Sequence, residues 1–257
     1  MKGLCVLPVL ILTACSSSSG NGSGQPISPP PPVVNQSPGG IWHGDRPNGT
    51  PITVLISEAG DLRVLDPFGN QGFGVAVVAN DTEFSVDYQL APEFGGTLID
   101  GSDSASCSFT GSLQERQSID MVAACTTSLG TELGGPILLG YDPEYESGSS
   151  IARVAGTYDT SNGNVLTIDV NGALFVQDIA TGCVINGEVS LIDVAWNLYG
   201  VEFVTEACQG ATAPLNGLTW TGMATMTVVA GRDTVIGGLI TDVSGLAAAL
   251  NITLERI

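Results

Sequence analysis

The sequence predicts an all-β protein: two tandem antiparallel β modules, barrel-like or sandwich-like, each with one disulfide, behind a disordered N-terminal tether. Three observations carry this. The chain holds 34 glycines among many Val, Ile, Leu and Thr, and only 13% of its residues are charged. Asn48-Gly49, Asn162-Gly163, Asn171-Gly172, Asn186-Gly187 and Asn216-Gly217 offer the positive φ that tight hairpins require. Around them apolar and polar residues alternate. Leu166, Ile168 and Val170 share one face, while Val165, Thr167 and Asp169 share the other. No segment keeps a helical period for long. The best short-helix candidate is Gly238 to Leu250, through its run of three alanines.

An internal repeat divides the folded part. Ile56 to Asp66 aligns without gaps onto Ile168 to Asp178, and five of the eleven positions are identical. Those five are Ile56, Gly60, Leu62, Val64 and Asp66, which recur as Ile168, Gly172, Leu174, Val176 and Asp178. Upstream, Gly40 with Trp42 answers to Gly156 with Tyr158. Downstream, Cys107 and Gly111 are set against Cys183 and Gly187, and Ala124-Cys125 against Ala207-Cys208. The order predicts one β unit over 40–150 and a second over 151–257. Two copies are too few for a solenoid, so they form two packed modules or two halves of one barrel.

The cysteines fit the repeat. If Cys107–Leu113 and Ser118–Cys125 are hairpin partners turning at Gln114–Gln117, the pairing centre is residue 116 and the two cysteines face each other. The repeat then pairs Cys183 with Cys208, centred between Ala195 and Trp196 across a longer turn. Four thiols allow three pairings, and this one links Cys107 to Cys125 and Cys183 to Cys208. No CxxC spacing occurs and the sole histidine, His43, lies elsewhere, so no metal site and no cofactor is expected.

The N-terminus sets the compartment. Met1-Lys2 precedes an apolar run from Leu4 to Leu12, much shorter than the about 20 residues that span a bilayer. The run closes on Leu12-Thr13-Ala14-Cys15, which resembles the lipobox of bacterial lipoproteins. That resemblance implies a signal peptide over 1–14, cleaved before Cys15, with acyl chains on Cys15 as the membrane anchor. Ser16 stands where an Asp would imply retention in the inner membrane, so the expected location is the outer membrane. Residues 15–39 are rich in Ser, Gly and Pro and read as a linker with too little apolar surface to fold.

Charge narrows the partners. Acidic residues number 26 against seven basic ones, and the only lysine, Lys2, lies in the signal segment. Phosphate contacts need Lys and Arg patches, so nucleic acid is excluded as a partner. Asp142, Glu144 and Glu146 form the densest acidic cluster but lack the ligand spacing of a calcium loop. A Ser-His-Asp or Cys-His site would have to use His43, and no nucleophile motif, P-loop or dinucleotide fingerprint is present. Trp42, Trp196 and Trp220 are the candidate binding residues, either lining a ligand cavity or buried in the core.

The segment Thr181 to Asp193 with Asn197-Leu198-Tyr199, together with Gly39 to Trp42 and Ser149-Ser150-Ile151-Ala152, resembles uncharacterised repeat-containing outer-membrane lipoproteins of Gram-negative bacteria. The resemblance implies the tandem β architecture and an envelope location, and brings no substrate, cofactor or catalytic residue. Lipocalins and the factor H-binding proteins also display antiparallel barrels on a tether, a likeness of architecture only. The expected role is therefore non-enzymatic binding or structure in the envelope, with a small apolar ligand or a cationic protein as the candidate partner. Two alternatives stand beside it: an inhibitor or sequestering protein for a cationic protein, and a carboxylate-based hydrolase of envelope glycans.

Overall fold

The computed structural model describes residues 34–160 and 163–257. The signal segment, Cys15, the linker up to residue 33 and Asn162 lie outside the described residues. The rest forms two closed antiparallel barrels of eight strands each, in tandem. The first runs β1 (Gly40–Asp45), β2 (Pro51–Ile56), β3 (Asp61–Leu65), β4 (Gln71–Ala79), β5 (Glu83–Ala91), β6 (Ala105–Gln114), β7 (Ser118–Thr127) and β8 (Glu132–Asp142). Each strand pairs with the next and β8 returns to β1. A connector with a 3-10 turn (Pro143–Ser147) and one helical turn, α1 (Ile151–Val154), leads on. The second barrel runs β9 (Gly156–Asp159), β10 (Val165–Ile168), β11 (Ala173–Gln177), β12 (Val184–Leu191), β13 (Tyr199–Glu206), β14 (Thr219–Val229), β15 (Arg232–Val243) and β16 (Leu246–Arg256), closed by β16 on β9.

Alternation decides the faces. Along β5, Phe84, Val86, Tyr88 and Leu90 point inward while Glu83, Ser85, Asp87 and Gln89 are exposed. On β6, Ser106, Thr110 and Ser112 are likewise exposed. Each barrel has its own core, one built around Trp42, Phe109 and Leu113, the other around Tyr158, Tyr199 and Trp220.

The repeat is visible strand by strand. Trp42 on β1 donates its indole N–H to Pro38, and Tyr158 on β9 donates its hydroxyl to Val154, each four residues back. Gly60 and Gly172 take φ of +94° and +93° in equivalent turns, and their carbonyls accept from Ala76 and Val189. A Cβ on either would run into the facing carbonyl oxygen, so only glycine fits. One inner row then crosses four strands in each barrel: Leu62–Gly74–Tyr88–Cys107 in the first, Leu174–Gly187–Phe203–Trp220 in the second. In both, a Cβ on the glycine would run into the backbone and Cβ of the aromatic residue beside it.

Three expectations need correction. Gly238 to Leu250 is a hairpin, not a helix: it spans β15 and β16 around Ser244-Gly245, both at positive φ. The alanines are good helix formers, but pairing with β15 on one side, and the bonds of Ala249 to Pro92 and Phe94 on the other, supply backbone bonds and burial that one helical turn would not. Asn186-Gly187 lies within β12 rather than in a turn, because Gly187 is the cleared position opposite Phe203. The disulfides form with the expected partners, Cys107–Cys125 and Cys183–Cys208, each with Cα atoms 4.0 Å apart. They are not equivalent in the repeat, however. The first staples β6 to β7, the sixth and seventh strands of its barrel. The second lies at the open end of β12 and β13, the fourth and fifth of its own. The structural counterpart of Gly187 is Gly74, not Gly111.

The barrels meet side to side. Ile41, Leu55 and Leu65 on the outer wall of the first pack with Leu198 and Met223 of the second and Tyr145 of the connector. Gln71 donates its buried amide to the Leu239 carbonyl (3.1 Å) and to Asn251 (3.1 Å). Asn251 in turn donates to the Asp66 carbonyl. Beyond β5, Pro92 and Phe94 exchange backbone bonds with Ala249 of β16.

At the far end of this seam, Arg116 in the β6–β7 turn lies 4.5 Å from the Trp196 ring centre and 4.9 Å from that of Tyr145. Its guanidinium donates to Glu58 at 2.6 Å and to the Gly39 carbonyl. Glu58 also accepts from Ser37 and Tyr145. Burial pulls the Glu58 carboxyl up, but the bonds from Ser37 and Arg116, the Arg116 charge and the Tyr145 bond together hold it below the ordinary range. Residues 35–39 are thus seated on the barrel, and the packed body begins ahead of Gly40.

Candidate functional site

The first barrel is filled at one end and hollow at the other. The filled end is closed by Trp42, Ile56, Leu62, Leu113, Ile119 and Leu139, all fully buried. Its turns are polar: Ser57 to Gly60, Asn80 to Thr82 and Glu115 to Gln117. At the opposite end a cavity of about 280 Å³ opens between the turns that follow β1, β3 and β5. Ile52, Val64, Leu90, Phe109, Ala123 and Ile137 form its apolar wall. Its volume lies near the lower limit of ligand pockets, which suits a molecule smaller than a typical drug.

The mouth carries apolar side chains where turns are ordinarily polar. Phe68 is 65% exposed, Ile99 88% and Leu129 68%, on the turns after β3, β5 and β7. Phe68 and Ile99 belong to the cavity lining as well, so one apolar surface runs from the rim into the interior.

Polar groups in the wall are few. Arg46 makes an ion pair with Asp66 at 3.0 Å, and the Asp66 side chain is fully buried. Asp66 also accepts from the Phe68 and Asn70 amides and the Asn70 side chain. In the second barrel Asp178 takes the matching place and accepts from Asn164, Ala180 and Thr181. Deeper in the wall, the Tyr88 hydroxyl lies 3.5 Å from Cys125 Sγ. A disulfide sulfur has no proton, so the phenol is the donor. Burial pushes the Tyr88 phenol far above its ordinary pKa, against a downward pull from Arg46, and it stays protonated. Tyr88 packs at a tilt against Phe109, with ring centres 4.4 Å apart.

None of the three tryptophans is part of the lining given above. Trp42 sits in the filled floor of the first barrel, with its ring 5.2 Å from Tyr141. Trp196 stacks on Tyr145 at 5.0 Å in the seam between barrels. Trp220 is buried in the second barrel beside Phe203, at 6.1 Å, and its indole N–H has no partner among the described residues. The cavity residues Phe68, Tyr88, Ile99 and Phe109 went unnoticed in the sequence. Only the exposed apolar residues in turn segments, Phe68 beside Pro67 and Ile99 between Leu98 and Asp100, could have signalled a mouth.

His43 makes an array that spacing did not reveal. Its Nδ1 lies 3.1 Å from Thr53 Oγ1 and its Nε2 lies 3.1 Å from Asp142 Oδ2. The three groups line up on the exposed outer wall, across β2, β1 and β8, and tie the seam that closes the barrel. The acidic cluster after β8 is spent in similar local bonds, Glu144 to Arg153 and Glu146 to Tyr141. Among the described residues no cluster of His, Cys, Asp and Glu could hold a metal ion.

Fold and site together define a tandem of two up-and-down barrels, of which the first encloses an apolar cavity with a rim of apolar turn tips. No model of a known protein family matches the chain, and no curated protein sequence matches it.

Proposed function

We propose that this protein is an outer-membrane lipoprotein, anchored through Cys15, whose first barrel binds a small apolar ligand without catalysis. The observation that carries the reading is the hollow end of β1–β8, where an apolar cavity opens past exposed Phe68 and Ile99. Burying a ligand there removes both its own apolar surface and that of the rim from water, at about 25 cal/mol per Å². The lipobox-like Leu12-Thr13-Ala14-Cys15 supports the anchor, and two disulfides suit an oxidising compartment. The described chain joins the barrel at the end away from the mouth, where Gln36 bonds Asp81 and Glu115.

The test is titration with an apolar fluorescent probe. One site is expected, abolished by Ala123→Phe, which fills the cavity, and retained by Trp196→Ala in the seam. Binding that survives Ala123→Phe in a folded protein would contradict the reading.

A further inference from the structure

The cavity wall holds one hydroxyl with little to do. Tyr88 is buried, and its only hydrogen-bond partner among the described residues is a disulfide sulfur, a weak acceptor. Its oxygen accepts no bond there. A buried hydroxyl left this poorly satisfied would cost stability, and a ligand oxygen is the natural complement.

The one cation in the wall cannot serve a ligand in the same way. Arg46 already neutralises the fully buried Asp66, and drawing it away would strand that carboxylate.

Resting on the proposed ligand-binding role, we propose that Tyr88 is a specificity-determining residue that selects small lipophilic molecules bearing one uncharged oxygen, a ketone or an alcohol, over hydrocarbons and over carboxylates. The phenol turns from the sulfur to the ligand oxygen, and the apolar remainder lies against Val64, Phe109 and Ile137. The site is neutral overall because Arg46 and Asp66 cancel, so an ionised head group would be desolvated with no free counter-charge.

Octan-2-one, octane and octanoate separate the cases, each displacing the fluorescent probe from the wild-type protein and from Tyr88→Phe. Removing the hydroxyl is expected to weaken octan-2-one about tenfold and to leave octane within about twofold. Octanoate is expected to bind more weakly than the ketone to the wild type. Equal effects of Tyr88→Phe on ketone and alkane, or octanoate binding tighter than the ketone, would overturn the selection while leaving the cavity as an apolar site. Failure of octane and octan-2-one alike to bind the wild type would overturn the binding role itself. Phe keeps the ring against Phe109, and an unchanged far-UV circular dichroism spectrum confirms that the variant folds.

Discussion

The two barrels start from the same plan and finish their upper ends differently. Both carry eight strands, matching inner rows and the same glycine-to-aromatic pairing, yet the position level with Tyr88 and Phe203 is Cys107 in one and Trp220 in the other. Trp220 is buried in the core of the second barrel, whereas Cys107 is bridged to Cys125, which lines the cavity of the first. The connection after the fifth strand diverges as well. In the second barrel it folds back as a 3-10 turn (Gly210–Leu215), placing Leu215 on the core. In the first, its opening residues Pro92 to Phe94 are drawn across to β16 of the neighbour. The cavity thus comes from one small-for-large exchange and one loop turned sideways, with the barrel frame unchanged. Copies of a unit can keep their backbone logic while only one becomes hollow.

The largest expected effect comes from making the barrels alike. Trp220→Ala should create in the second barrel the space that the first already has, at a cost of about 3–5 kcal/mol. Denaturant unfolding measures the loss, and the probe titration should then report two sites instead of one. A second site without the cost, or the cost without a second site, would break the proposed equivalence of the two upper ends.

Next in size are the disulfides, which enclose similar chain lengths, 18 and 25 residues apart in sequence. Removing either with paired Cys→Ala changes should cost about 3 kcal/mol. Their effects on function should differ. Cys125 lies in the cavity wall, so losing Cys107–Cys125 should alter probe affinity, whereas losing Cys183–Cys208 should not. Calorimetry beside the same titration distinguishes the two.

The contrast also shows what the sequence could convey. The strand class, the strand pair around the Gly-centred turn of each unit and both cysteine pairs were legible, because alternation, a Gly-centred turn and hairpin register are local properties of the chain. The correspondence between the two cysteine pairs was misread. Equal spacings around Cys107 and Cys183 looked homologous, although 36 more residues separate Cys107 from its preceding repeat segment than separate Cys183 from its own. That difference amounts to the two extra strands β4 and β5. The helix expected near Ala247 failed because alanine propensity is weaker than the continuous pairing of β16 along β15. The cavity was not legible at all, since a hollow depends on which inward residues meet across eight strands. Tyr88, Phe109 and Cys125 lie on the consecutive strands β5, β6 and β7, but Ile52, Val64 and Ile137 face them only once the barrel closes.

The central claim is a hollow upper end in β1–β8 beside a filled one in β9–β16, and xenon-pressurised crystallography tests it most directly, because xenon enters dry apolar cavities. The expected result is a xenon peak among Ile52, Val64, Phe109 and Ile137, with none beside Trp220. A peak beside Trp220 with none in the first barrel would contradict the account.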